Sequence, residues 1–175
     1  MRTAISIVWA ALVFFGLPSK AQEQSAGATR IRACGNLPND QKWIGEGDYG
    51  LKFKVPKRGV KILGGEPDVD YVKFIIKPAH RQVALLLWFG PYALNPKPRQ
   101  EQLENSARST QIEVVNSDGN VIGYDTKGQN HDSTTWRQFS VLLEGAVYEN
   151  ASASDAALFD RIIESACIAP YPSSR

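Results

Sequence analysis

The sequence of 175 residues carries 20 basic and 18 acidic residues, and 43% of its residues are hydrophobic. That length and apolar content suit one globular domain with a substantial core. The formal charge of +2 gives no strong positive field, which general nucleic-acid binding requires. We therefore expect no nucleic acid among the partners of this protein.

The N-terminal segment has the features of a secretory signal peptide (1–21). Arg2 precedes an unbroken apolar run from Ala4 to Leu17, and Ser19 and Ala21 occupy the small positions of a cleavage site. A membrane anchor is the alternative, but the run is short for a bilayer and polar residues follow it directly. Cleavage after Ala21 would leave 154 residues with 18 basic and 18 acidic side chains. We predict a soluble, secreted or periplasmic protein with no transmembrane segment after cleavage.

The rest of the chain divides into a flexible polar lead-in (22–33), one globular domain (34–169) and a tail (170–175). Within the domain, apolar runs bounded by turn-forming residues predict β-strands. The run at 49–55 alternates apolar residues with lysines, whereas the run at 82–89 is almost wholly apolar and favours a central strand. The predicted strands span 49–55, 60–63, 71–77, 82–89, 110–115, 121–125, 134–143 and 146–149.

One convincing helix is expected, after the last strand. A polar connection at 95–109 offers a short helix at 100–107, and the segment 152–167 has an apolar stripe at helical spacing. Ser152 and Asp155 form a capping-box pattern at the start of this helix. We predict an α+β fold in which about seven strands form a mainly antiparallel sheet covered by this C-terminal amphipathic helix. The alternative is a β-sandwich with the helix as an appendage.

The two cysteines, Cys34 and Cys167, lie near opposite ends of the predicted domain. An even number of cysteines in an exported protein favours a disulfide. A metal site is disfavoured because there is no CxxC pattern and the two histidines are far apart, so we expect neither a metal nor a cofactor. A cysteine nucleophile would need a basic partner. Helical spacing places Cys167 on the buried stripe of the last helix, which favours the disulfide.

Catalytic candidates are weak, and the best is the loop predicted at 127–133. His131 can act as an acid or base near neutral pH, and Asp132 follows it, but no nucleophile motif accompanies the pair. A local basic cluster, which we call the 52–61 cluster, is a possible anion-binding surface, although the neutral total charge favours a solvated strand face. Its members are Lys52, Lys54, Lys57, Arg58 and Lys61.

We therefore expect a non-catalytic binding or interaction module of the cell envelope or exterior, with an envelope component or a protein as partner. This expectation rests on a compact neutral domain, a disulfide and the lack of an assembled catalytic motif. The alternative is a small secreted hydrolase whose site gathers around His131 and Asp132.

Overall fold

A computed structural model describes residues 27–45, 50–67, 72–90 and 100–169. These residues form twelve strands and two helices. The predicted signal peptide (1–21) and tail (170–175) lie outside the described residues. The elements are β1 (Thr29–Arg30), β2 (Arg32–Ala33), β3 (Gln41–Ile44), β4 (Gly50–Pro56), β5 (Val60–Pro67), β6 (Val72–Pro78), β7 (Leu85–Phe89), α1 (Gln100–Glu104), β8 (Ser106–Val115), β9 (Val121–Asn130), β10 (Thr135–Val141), β11 (Glu144–Ala151), α2 (Ala153–Glu164) and β12 (Cys167–Ala169).

Eight of these strands form one large sheet in the order β1-β8-β9-β10-β11-β7-β6-β5. All neighbours in this sheet are antiparallel except β1, which pairs in parallel with the end of β8. The apolar run predicted as a central strand becomes β7, which lies between β11 and β6. Leu85, Leu87 and Phe89 are fully buried on one face of β7, and Trp88 is buried on the other. This placement confirms the prediction.

The other four strands form a smaller sheet in the order β2-β12-β4-β3. The alternation expected for β4 is observed, since Leu51, Phe53 and Val55 are buried and their neighbours are half-buried. The ring of Phe53 packs edge-on against Phe89 and Phe139 of the large sheet, with centroids 6.1 and 6.2 Å away. The two sheets therefore share one hydrophobic core.

Helix α2 packs on the inner face of the large sheet and completes this core. Phe159, Ile162 and Ile163 are almost fully buried, as the helical stripe predicts. The backbone N–H of Asp155 donates to Ser152 Oγ at 3.3 Å, and Ser152 Oγ–H donates to Asp155 Oδ2 at 2.7 Å, so the predicted cap forms. The α+β architecture with a largely antiparallel sheet and a C-terminal helix is confirmed.

Three local predictions are wrong. Helix α2 ends at Glu164, with Ser165 as its C-cap, so Cys167 lies in β12 and not on the helix. The lead-in expected to be flexible is paired over part of its length, because Thr29–Arg30 extends the large sheet and Arg32–Ala33 extends the small one. Third, residues 127–130 of the expected loop belong to β9. The first two errors have the same cause, since the pairing partners are remote in sequence and leave no local pattern. The third arises because residues 127–130 carry no hydrophobic side chain and so show no strand-like alternation.

The predicted disulfide is confirmed. Cys34 and Cys167 are bonded, with Cα atoms 4.9 Å apart. Cys167 is 5% exposed, and the Cys34 N–H donates to the Ile168 carbonyl at 3.1 Å. The bond therefore fastens the chain segment that passes from β1 to β2, and so from one sheet to the other.

Candidate binding groove

A groove runs between α2 and the inner face of β8, β9 and β10. Strands β8 and β9 are each ten residues long and extend beyond the area that the helix covers. The helix, about 18 Å long, presents the small side chains of Ala153, Ala156 and Ala157 to this side. Since short side chains leave space between helix and sheet, the groove stays open. We call this space, lined by α2, β8, β9 and β10, the α2 groove.

The α2 groove contains two adjoining cavities. One, of about 480 Å³, lies beside the start of α2 and is lined by Arg108, Thr110 and Tyr148 among others. The other, of about 500 Å³, lies beside the end of α2 and is bounded by residues 29–32 as they cross between the sheets. Lys127 lines both cavities, so its side chain stands at their junction. Cavities of this size suit a small ligand or several side chains of a larger one.

A buried charge network forms the wall of the groove where the two cavities meet. Arg137 on β10 donates from Nε to Asp125 Oδ1 at 2.8 Å and from Nη2 to Asp125 Oδ2 at 2.6 Å. Its Nη1 donates to Asp160 Oδ1 at 2.9 Å and to Glu164 Oε1 at 3.4 Å, both on α2. Tyr148 Oη also donates to Asp160 Oδ1, at 2.9 Å. The network therefore fixes α2 to strands β9, β10 and β11.

The environment of Arg137 and Tyr148 raises the pKa of both side chains. Burial by itself lowers the pKa of the Arg137 guanidinium, but the hydrogen bonds and negative charges of Asp125 and Asp160 outweigh it and raise the pKa further. Burial, followed by the charge of Asp160, raises the pKa of the Tyr148 phenol well above its ordinary value. Arg137 therefore stays cationic and Tyr148 stays neutral. Because Arg137 is already matched by carboxylates, it has little charge left to attract a ligand.

The rim of the groove carries cations of a different kind. Arg30, Arg32, Arg108 and Lys127 are all exposed and line the two cavities. Within the described ranges, none of these four makes an ion pair. The wall carries one cation against three carboxylates, and the rim adds four exposed cations, so the charged side chains that line the groove have a net positive charge, which favours an anionic ligand.

The weak catalytic candidates lie elsewhere. His131 and Asp132 follow β9 and line a separate cavity of about 560 Å³, together with Glu149. Asp132 accepts hydrogen bonds from the backbone N–H and the Oγ1–H of Thr134, at 3.0 and 2.6 Å, as in an Asx turn. The Thr134 hydroxyl contributes most to lowering the pKa of the Asp132 carboxyl.

This second cavity has no assembled catalytic group in the described part of the chain. Its described lining contains no serine, threonine or cysteine. The Asp132 carboxylate accepts the two hydrogen bonds from Thr134, and no hydrogen bond joins it to the His131 imidazole in the described structure. No group of three histidine, cysteine, aspartate or glutamate side chains gathers to hold a metal in the residues described.

The 52–61 cluster is spread over β4, the following turn and β5, and these two strands belong to different sheets. Lys54 Nζ donates to the Asn36 carbonyl at 3.0 Å and lies 5.2 Å from the ring centroid of Trp43. Lys57 Nζ donates to the Asn39 carbonyl at 2.8 Å. These two lysines hold the loop before β3. Anion binding by the cluster as a whole stays a prediction.

Sequence reasoning missed the residues that build the α2 groove. Within 108–114, Ile112 and Val114 alternate with Glu113, but the polar side chains of Arg108 and Thr110 on the same face obscured the pattern. The carboxylate partners of Arg137 come from β9 and α2, and no local sequence pattern predicts these contacts. The segment 125–129 contains no hydrophobic side chain, so no alternation in the sequence could have placed Asp125 and Lys127 on one strand face.

The chain was compared with protein-family models, curated proteins and solved structures. No family model matches it, and neither does any curated protein or solved structure. Among the described residues, no helix has the length and apolar character needed to cross a membrane.

Proposed function

We propose that this chain is an exported, non-catalytic binding module of the cell envelope or exterior, and that its ligand lies in the α2 groove. The observation that carries the proposal is the groove itself, with its unpaired cations Arg108 and Lys127 beside the hydrogen-bonded network around Arg137. Binding sites are commonly concave surfaces with a few convergent polar groups on a rigid frame. The network around Arg137 supplies that rigidity.

Export is supported by two independent features. The predicted signal peptide directs the chain out of the cytoplasm, and the Cys34–Cys167 disulfide requires an oxidising compartment to persist. The disulfide and the network both stiffen the domain. A stiff domain loses less conformational entropy on binding, which suits a binding module.

Affinity capture with matched columns tests the proposal. The oxidised protein without residues 1–21 is immobilised beside two variants, Arg108→Glu/Lys127→Glu and Arg161→Glu. Arg161 is exposed on α2 and lines neither groove cavity, so its variant controls for the change of charge. The columns receive an envelope extract of the host, and the eluted molecules are identified by mass spectrometry. We expect a ligand that the wild-type and Arg161→Glu columns retain and the double variant releases.

Two outcomes count against this function. Retention of the same molecules by all three columns would show that the groove does not bind them. Breakdown of a retained molecule during incubation, abolished by His131→Ala, would instead support the hydrolase alternative, whose candidate cavity gathers His131, Asp132 and Glu149.

A further inference from the structure

Strand β8 lies at one side of the large sheet, and most of its outer edge has no pairing partner among the residues that the structure describes. Strand β1 pairs only with Val114 and Val115 at the end of β8. Over 106–113, β8 pairs with β9 on one side, and no described strand pairs with it on the other. The backbone N–H and C=O groups that point to this side are therefore available to another strand.

The opposite edge of the same sheet is built differently. Strand β5 has a register shift between Gly64 and Pro67, and both Gly64 and Gly65 have positive φ angles, 90° and 97°. Such a bulge bends an edge and opposes pairing. In β8 the shifts fall at the two ends, between Ser106 and Arg108 and between Val114 and Val115. The intervening stretch is regular over about 20 Å, at roughly 3.3 Å per residue.

The open edge borders the α2 groove directly. Arg108, Thr110 and Ile112 of β8 lie on the inner face, and Lys127 of β9 lies opposite Thr110. A strand added beside β8 would point every second side chain into the groove. Neighbouring strands are about 4.8 Å apart, so Lys127 would lie about two strand spacings away. A glutamate on the added strand and the Lys127 side chain together span that distance.

We propose that the edge of β8 takes up an extended acidic peptide segment as an additional strand, with its acidic side chains directed at Arg108 and Lys127. The inference deepens the proposed function, on which it rests, by naming the ligand class and its mode of binding. Main-chain hydrogen bonds along β8 supply affinity, and the groove selects side chains by charge. Strand β1 already shows that this edge accepts a parallel partner at its far end.

The test uses synthetic probes with the oxidised protein. The first probe is an acetylated and amidated octapeptide of alternating Glu and Thr. Its matched controls are the same peptide with methyl groups on alternate backbone nitrogens, which removes donors but keeps charge, and an octapeptide of alternating Lys and Thr. Binding is followed by NMR titration, and amide hydrogen exchange of β8 is measured with and without peptide.

We expect the Glu-Thr peptide to shift β8 and β9 resonances and to slow exchange along 106–113. N-methylation, the Lys-Thr sequence and the Arg108→Glu/Lys127→Glu variant should each weaken binding by about tenfold or more, equivalent to about 1.4 kcal/mol. The Arg161→Glu variant should bind like the wild type. Equal binding of the methylated and unmethylated peptides would overturn strand addition.

Other occupants of the edge give distinct results. A dimer in light scattering with protected β8 amides would mean that a second copy fills the edge, and complete protection in the free monomer would mean that the chain fills it itself. Either overturns the inference. A further outcome is that the octapeptides show no binding while retention of the captured ligand still depends on Arg108 and Lys127. In that case strand addition at β8 is wrong, and the proposed function of the α2 groove stands. If the octapeptides do not bind and the columns capture no ligand that depends on Arg108 and Lys127, the proposed function is wrong as well.

Discussion

Replacement of Arg137 by leucine tests how much the buried network contributes to stability. The side chains of Arg137 and Asp125 are only 6% and 9% exposed, and two short hydrogen bonds join them. Removing the guanidinium leaves the Asp125 carboxylate buried without its main partner. A buried charge that loses its partner costs far more than the original pair contributed.

The magnitude follows from the unequal exposure of the three carboxylates. Breaking a buried pair by removing one partner costs about 3–5 kcal/mol, and Asp125 accounts for most of this. Asp160 is one-third exposed and keeps the hydrogen bond from Tyr148. Glu164 is 63% exposed, so its screened contact contributes roughly 0–1 kcal/mol. We expect the Arg137→Leu variant to lose about 3–5 kcal/mol of unfolding free energy, and its Tm to fall by roughly 6–20 °C.

Urea denaturation of the oxidised protein, followed by tryptophan fluorescence, measures this loss. Arg161→Leu is the matched control, because Arg161 lies exposed on the same helix, and its stability should change by no more than about 0.5 kcal/mol. The double variant Arg137→Leu/Asp125→Leu removes both buried charges, so it should recover at least half of the lost stability. A loss below about 1 kcal/mol for Arg137→Leu, or a double variant as unstable as the sum of both single ones, would refute this reasoning.

The disulfide and the Asp132 turn give two further predictions. Replacing Cys34 and Cys167 by serine opens a loop of sequence separation 133, and unfolding in urea should show a loss of up to about 5 kcal/mol; an unchanged midpoint would contradict the loop-entropy argument. The pKa of the Asp132 carboxyl should lie below 3.8 in an NMR titration and return towards that value in Thr134→Val. Because the folded-state pKa is depressed, the contribution of Asp132 to stability is complete above the unfolded pKa and is lost as the pH falls through the folded one; an unchanged pKa in Thr134→Val would contradict the proposed cause.

The sequence predicts the parts of this fold whose signals are local. The alternation of Leu51, Phe53 and Val55, the apolar run of β7 and the cap formed by Ser152 all describe short segments, and each is observed as expected. The disulfide was also predictable, because an even number of cysteines and the predicted export both favour it.

The parts that sequence reasoning missed depend on remote pairing. β12 has three residues and lies between β2 and β4, so no window of sequence reveals it. The helix was therefore extended to Cys167, whose burial is real but arises from a strand. The α2 groove was missed for the same reason. Its floor, helix and rim come together only when segments from 29 to 166 are folded, and polar side chains on an inner strand face imitate a solvated surface.

The segment that crosses between the sheets also constrains the order of folding. Thr29–Arg30 pairs with the end of β8, and Arg32–Ala33 pairs with β12, close to the C-terminal end of the described chain. The N-terminal strands β1 and β2 can therefore pair only after β8 and β12 have been synthesised. Topologies with such long-range pairing fold slowly, in milliseconds to seconds. Under the proposed export, Cys34 finds its partner only after Cys167 has crossed the membrane, so the two sheets stay unclosed while the chain is in transit.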